Sequence, residues 1–440
     1  MLRGISKAQK DDAYRLLQCL TVAARPLRVE ELAELLAFDF QAMSERGIPT
    51  LREDWRWNDQ EQAVLSTCSS LIAIVRDGNF RVVQFSHFSV KEYLTSPRLA
   101  RSHGDVSRFY IDLQQAHTIL AKACLATLLR LDEHSRDKSA EMFPLVGYAA
   151  EHWVEHARFD RVSSRVRHGM DDLFDTSKPH FAAWLRVHDI DEDMDGFWSR
   201  GRIDRSPLYY AAFCGFHELT ERLIAKHPEQ VNQVGGRIVA PLQAALHRKH
   251  FRVADLLHQH GAAVDIRGHR KRTLLHAASV FGVVDVMRWL LNHGADVNAR
   301  QDDRCTPLHV AAINREPEAA QVLLDHKADV DSRNHNGNTP LYEILFYGTV
   351  YSEENSTSIV RRLLEHGADT NPRDQTHSTP LHGASFQGWL EVARLLLSHG
   401  ASVDEKDEKG RTPLQVASLE GHVEMTKLLL DHGAQPLPLP

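Results

Sequence analysis

The chain has 440 residues, of which 42% are apolar and 25% charged, the balance of folded globular protein and not of a disordered one. Its 52 Lys+Arg against 59 Asp+Glu leave a net charge of −7, so composition supplies no overall pull toward nucleic acid or anionic membrane. The length points to more than one domain. No apolar run approaches the ~18 residues of a membrane-spanning helix. Arg3, Lys7, Lys10, Asp11 and Asp12 interrupt the first stretch, so it is not expected to act as a secretory signal. The five cysteines (Cys19, Cys68, Cys124, Cys214, Cys305) are scattered and form no C-x-x-C, which fits reduced thiols in a cytoplasmic or nuclear setting. The 27 histidines are an unusual number and require an explanation.

Residues 11–94 read as small helices followed by a hairpin. Leu17, Leu20 and Ala24 share one helical face, and Leu32, Leu35 and Leu36 share another. Leu71–Val75 and Phe80–Phe85 are β-prone and are joined by Asp77-Gly78-Asn79, a hairpin signal. Helix, helix and hairpin outline a winged helix over 1–100. The stretch F-S-H-F-S-V-K-E-Y-L (85–94) then resembles an element of NACHT-type signalling NTPases, and 14–33 resembles the segment opening the same domain in fungal NACHT–ankyrin proteins. The resemblance implies that His87 corresponds to a histidine that contacts the bound nucleotide's phosphate in that family. No G-x-x-x-x-G-K-[ST] occurs in the sequence, so a phosphate-cradling loop is missing and His87 is expected to be a vestige. The resemblance thus implies the rear part of a STAND-type protein without its NTPase domain, and no cofactor is expected.

Residues 101–203 continue as a helical bridge, with apolar helical patterns at 120–129, 147–157 and 181–185. Here His152-Trp153-Val154-Glu155-His156 satisfies H-x-x-E-H, in which two histidines four apart could ligate zinc and the glutamate could serve as base. A zinc-dependent hydrolase is therefore one alternative reading, although no third ligand stands at a recognisable spacing. A DNA-associated winged helix is another. Its candidate recognition stretch, Asp59–Ser70, lacks Lys and Arg, and only Arg76 and Arg81 mark the wing, which argues against groove reading.

From 204 the chain repeats. A histidine recurs at 227, 260, 293, 326, 366, 399 and 432, and T-P-L-H or a close variant recurs at 206–209, 240–243, 273–276, 306–309, 339–342, 379–382 and 412–415. Thr before Pro suits a helix start, and Gly261, Gly294, Gly367, Gly400 and Gly433 stand where helices end in a left-handed residue. Lys327 replaces that glycine in the fourth unit and is expected to loosen the turn. The pattern resembles the ankyrin repeat, seven units over 204–435, followed by a Pro-rich tail at 436–440. Each helix pair buries its face only by stacking on its neighbours.

The step from 326 to 366 is seven residues longer than the others, placing an insertion near 348–355 with Tyr347 and Tyr351 at or within it. Helix layers ~10 Å apart are too distant for the recurrent histidines to share a zinc. Arg267–Arg272 is the most basic stretch and falls on a hairpin tip, whereas the later tip Asp404–Lys409 is mixed in sign. The expected architecture is mostly α: winged helix, bridge and ankyrin solenoid. The expected function is protein–protein recognition without turnover, through the concave face and tips of the array. Arg270, Lys271, Asp302, Asp303, His335, Gln375 and Tyr351 are the candidate contact residues.

Overall fold

The computed structural model describes the chain except residues 1, 3–4, 6–9, 45–46, 56–58, 69, 103–105, 133–142, 192–205, 235–239, 347–352 and 437–440. Two compact units emerge, one built from 1–197 with 202–237 and the other from 198–201 with 238–440. The first repeat therefore belongs with the front unit. The boundary expected at 203 lies outside the described residues, as do Tyr347, Tyr351 and the end of the Pro-rich tail.

In the front unit, α1 (Lys10–Val22), α2 (Val29–Leu36) and α3 (Gln60–Cys68) precede the hairpin of β4 (Ile72–Asp77) and β5 (Phe80–Phe85). A two-residue strand, β1 (Leu27–Arg28), pairs with the far side of β5, giving an antiparallel sheet in the order β1-β5-β4. This is the expected winged helix, with one strand that local pattern does not reveal because two residues carry no alternation. A second hairpin, β2 (Phe38–Met43) with β3 (Pro49–Leu51), was also not expected. Gly78 adopts φ 57° at the β4–β5 turn, a conformation glycine enters without steric penalty. The buried face of α1 runs through Ala13, Leu16 and Leu17, while Leu20 is only half-buried and Ala24 lies exposed beyond the helix. The face inferred from sequence is thus rotated toward the N-terminus.

The bridge consists of helices Leu113–Leu128, Val146–Arg158, Val162–Arg165, Arg167–Leu173 and His180–Val187. Its core is aromatic. Trp153 packs edge-on to Trp184 at 5.3 Å and stacks on Phe216 of the first repeat at 5.4 Å. Tyr210 of the same repeat meets Trp184 and Phe181. Tyr209 and Tyr210 also donate their hydroxyls to Asp191 and Asp189 at 3.0 and 2.9 Å. Large aromatic areas shared this way explain why repeat one is part of the front unit.

Seven helix pairs are described in the repeat region: Pro207–Cys214 with His217–Lys226, Pro241–His247 with Phe251–Gln259, Leu274–Val280 with Val284–Asn292, Pro307–Asn314 with Pro317–Asp325, Pro340–Phe346 with Glu353–Glu365, Pro380–Gln387 with Leu390–Ser398, and Pro413–Leu419 with Val423–Asp431. The outer helix of the fifth pair has 13 residues, so part of the extra sequence lengthens that helix. All five helix-ending glycines have φ between 84° and 89°, and Lys327 holds the same left-handed turn at φ 65°. No helix among the described residues is long and apolar enough to cross a membrane.

Candidate functional site

Two sets of repeated histidines make different hydrogen bonds. His276, His309 and His382 occupy the third helical position after Thr273, Thr306 and Thr379, and are buried. Each Nδ1 accepts the threonine backbone N–H at 3.1–3.3 Å. The proton must then sit on Nε2, which donates to the carbonyl of Cys305, Asn338 or Arg411 in the following repeat at 3.0–3.1 Å. Burial holds His276 and His309 neutral, pushed down to about 4, and lowers His382.

The other set has the opposite tautomer. His260, His293, His326, His366, His399 and His432 each present Nδ1 to the carbonyl four residues earlier at 2.7–2.9 Å. A carbonyl only accepts, so Nδ1 is the donor and satisfies one of the orphan acceptors at a helix end. His227 departs from the set, with Pro228 following it and Glu229 3.3 Å from its Nδ1. The recurrent histidines are therefore joints and caps of the solenoid.

The H-x-x-E-H segment lies on the helix Val146–Arg158. His156 is fully buried, with Nδ1 at 2.9 Å from His117 Nδ1 and Nε2 at 2.8 Å from the Tyr148 hydroxyl. Tyr148 in turn accepts the Ala24 N–H at 3.1 Å. Its one proton is donated to His156 Nε2 in the arrangement that satisfies the chain, leaving His156 Nδ1–H to donate to His117. Burial pushes His156 down to about 3 and His117 to about 4. Both ring nitrogens of His156 are thus occupied, and no group of three His, Cys, Asp or Glu side chains among the described residues could hold a metal ion. His152 lies near Glu151 and Glu155, at 3.4 and 4.0 Å, and its ring packs 4.8 Å from that of Tyr148.

His87 is exposed and caps α4 (Phe88–Leu94), its Nδ1 accepting the Ser89 N–H at 3.2 Å. On the wing, Arg81 pairs with Glu61 of α3 and lies 3.9 Å from Glu30. One of the two wing cations is thus neutralised by the helix that would read a groove.

The hairpin tips form an ordered edge. The Asp302 N–H donates to the Arg270 carbonyl at 3.0 Å, and the His335 N–H to the Asp303 carbonyl at 2.7 Å. These bonds bring Arg270, Lys271, Asp302, Asp303 and His335 onto one continuous exposed edge across repeats three to five. Gln375 is exposed on the sixth tip, whose Thr376 carbonyl accepts the Glu408 N–H of the seventh at 2.8 Å. Sequence reasoning missed the apolar members of the array surface, Phe281, Phe386 and Leu419, exposed by 64%, 47% and 70%. Their signal was a shared register, six or seven residues after the first helical residue of each inner helix.

Comparison with known proteins agrees with these two parts. The sequence model described as "Ankyrin repeats (3 copies)" matches residues 208–301, 298–350 and 347–438, and that described as "GPI inositol-deacylase, winged helix domain" matches 2–106. The chain is similar to "Azaphilone pigments biosynthesis cluster protein L" of Monascus ruber, 31% identical over 283 residues. That match takes in 60% of this chain and spans 58% of the relative's length. The ankyrin match runs from 208 to 438 without a gap, more than half of the 440 residues, so the chain belongs to the ankyrin-repeat family.

Proposed function

We propose that this protein works by binding and not by turnover, holding a protein partner on the tips and inner helices of its ankyrin array. The observation carrying this reading is the exposed edge formed by Arg270, Lys271, Asp302, Asp303 and His335, aligned by backbone bonds from one repeat to the next. Side chains fixed in position on a rigid scaffold recognise a partner at little entropic cost. The winged helix and aromatic bridge, together with the likeness of 14–33 and 85–94 to NACHT–ankyrin proteins, support a finer role as the sensor or scaffold arm of a fungal STAND-type signalling protein. The NTPase would then be supplied by a longer form or another chain. Five buried cysteines, none in a disulfide, suit a reducing, cytoplasmic compartment.

The test compares proteins captured by the full chain with those captured by a variant carrying R270A, K271A, D302A, D303A, H335A and Q375A. Loss of specific partners from a variant of unchanged melting temperature is expected. An identical set of captured proteins refutes the reading.

A further inference from the structure

Among the described residues, eight non-glycine residues have positive φ, and all eight are basic: Arg161, Lys249, Arg270, Lys271, Arg304, Arg315, Lys327 and His377. Several occupy positions that glycine fills in sister repeats. Lys271, Arg304 and His377 each stand two residues before the helix-capping threonine, where the fifth and seventh repeats have Gly337 and Gly410 at φ 79° and 74°. A side chain there is strained and glycine is not. All three of these side chains are exposed, and those of Lys271 and Arg304 are cationic. An outlier of this kind supports a hypothesis of function.

Charge around these positions is unbalanced. The tips of repeats three and four carry Arg267, Arg270, Lys271, Arg272, Arg300 and Arg304 against Asp302 and Asp303. Arg248 and Lys249 are exposed at the end of the preceding inner helix. The sixth and seventh tips are balanced, with Arg373, Lys406, Lys409 and Arg411 facing Asp374, Glu405, Asp407 and Glu408.

An apolar stripe also runs along the array. Val280, Ile313, Phe386 and Leu419 occupy the seventh residue of their inner helices, and Phe281 follows Val280. Phe281, Phe386 and Leu419 are exposed, while Val280 and Ile313 are half-buried. One exposed apolar side chain is ordinary, but apolar residues recur at the seventh position in four repeats, with Phe281 one residue beyond it, and such a stripe is the usual mark of an interaction site. Six residues of helix rise only ~9 Å, so the tip cations of repeat three and Phe281 of the same repeat lie within the span of one short peptide segment.

We propose that this array takes an acidic segment of a partner protein whose Asp and Glu residues meet the cationic tips of repeats three and four, and whose large apolar side chains cover the stripe through Phe281. The proposal rests on the recognition reading above and assigns the chemistry of its partner. Charge complementarity supplies orientation and encounter rate, and apolar burial supplies most of the retention.

The experiment selects peptides from a random displayed library on the full chain. Selected peptides are then measured by fluorescence anisotropy against the K271G/R304G and F281S variants at low and high salt. Enriched peptides are expected to combine acidic with Phe, Leu or Trp residues. They should lose about tenfold in affinity with either variant, and K271G/R304G should flatten the salt dependence. Because glycine relieves strain at both positions, that variant should melt no lower than the parent. Enriched peptides without acidic excess, or equal binding to K271G/R304G, overturn the proposal while leaving the recognition reading intact. No enrichment over an unrelated bait overturns this proposal, and the captured-protein comparison then decides the broader reading independently.

Discussion

His309 joins two repeats through Asn338: its Nε2 donates to the Asn338 carbonyl at 3.0 Å while its Nδ1 accepts the Thr306 N–H at 3.2 Å. One buried imidazole therefore caps a helix and ties it to the repeat that follows. Replacing it with alanine leaves the buried Thr306 N–H without a partner, takes one of two donors from the Asn338 carbonyl, which keeps the Asn334 N–H at 3.0 Å, and opens a void. H309A should lower stability by about 3 kcal/mol. Glutamine at the same position of the seventh repeat, Gln415, accepts the Thr412 N–H through its side-chain oxygen at 2.9 Å. H309Q should therefore cost about 1 kcal/mol. Urea unfolding of the two variants checks the order, and equal losses would contradict this account.

Acid should loosen the array before carboxylate titration dominates. The neutral forms of His276 and His309 are favoured in the fold because burial pushes both down to about 4 from an ordinary 6.5. As pH falls, the unfolded chain takes up these protons first, so stability is full above about 6.5 and declines toward about 4. Each buried group contributes on the order of 3 kcal/mol to that loss. Thermal melts of the parent and of H276Q/H309Q between these pH values should converge at the acid end.

The Tyr148–His156–His117 chain is predicted to be structural. Y148F leaves the buried His156 Nε2 unpaired and removes the acceptor of the Ala24 N–H, and should cost about 2 kcal/mol. Chelator or added zinc should leave the melting temperature unchanged, because both His156 nitrogens are already bonded. Stoichiometric zinc in purified protein, or a chelator-induced drop in melting temperature, would reinstate the H-x-x-E-H segment as a metal site.

Lys327 tests the cost of a left-handed cation outside the proposed interface. Its φ of 65° matches the turn that glycine makes in five sister repeats. K327G should raise stability by about 1 kcal/mol without altering partner capture. A fall in stability would show that the lysine side chain makes a compensating contact.

Much of the architecture is legible because ankyrin units are written locally. Thr-Pro starts, glycine stops and apolar helical spacing recur at a fixed period, so the sequence alone locates the helix pairs. The same locality made the insertion after Pro340 visible. The winged helix was legible through its β4–β5 turn, but β1 was not, since Leu27 and Arg28 pair with Val83 and Val82 more than fifty residues away. H-x-x-E-H is ambiguous in sequence because zinc-ligand spacing along a helix is also the spacing of two residues on one packed face.

What the sequence determined alone is the repeated unit, its register and the positions its exposed tips occupy, because short-range capping, turn and burial rules act within each unit. Only the tertiary structure decided how identical histidines divide between opposite tautomers, since the acceptor for His276, His309 and His382 lies in the following repeat. Folding also decided that His156 meets His117 across 39 residues and that repeat one shares the bridge's aromatic core. These outcomes depend on long-range packing, which brings together groups that no local spacing connects.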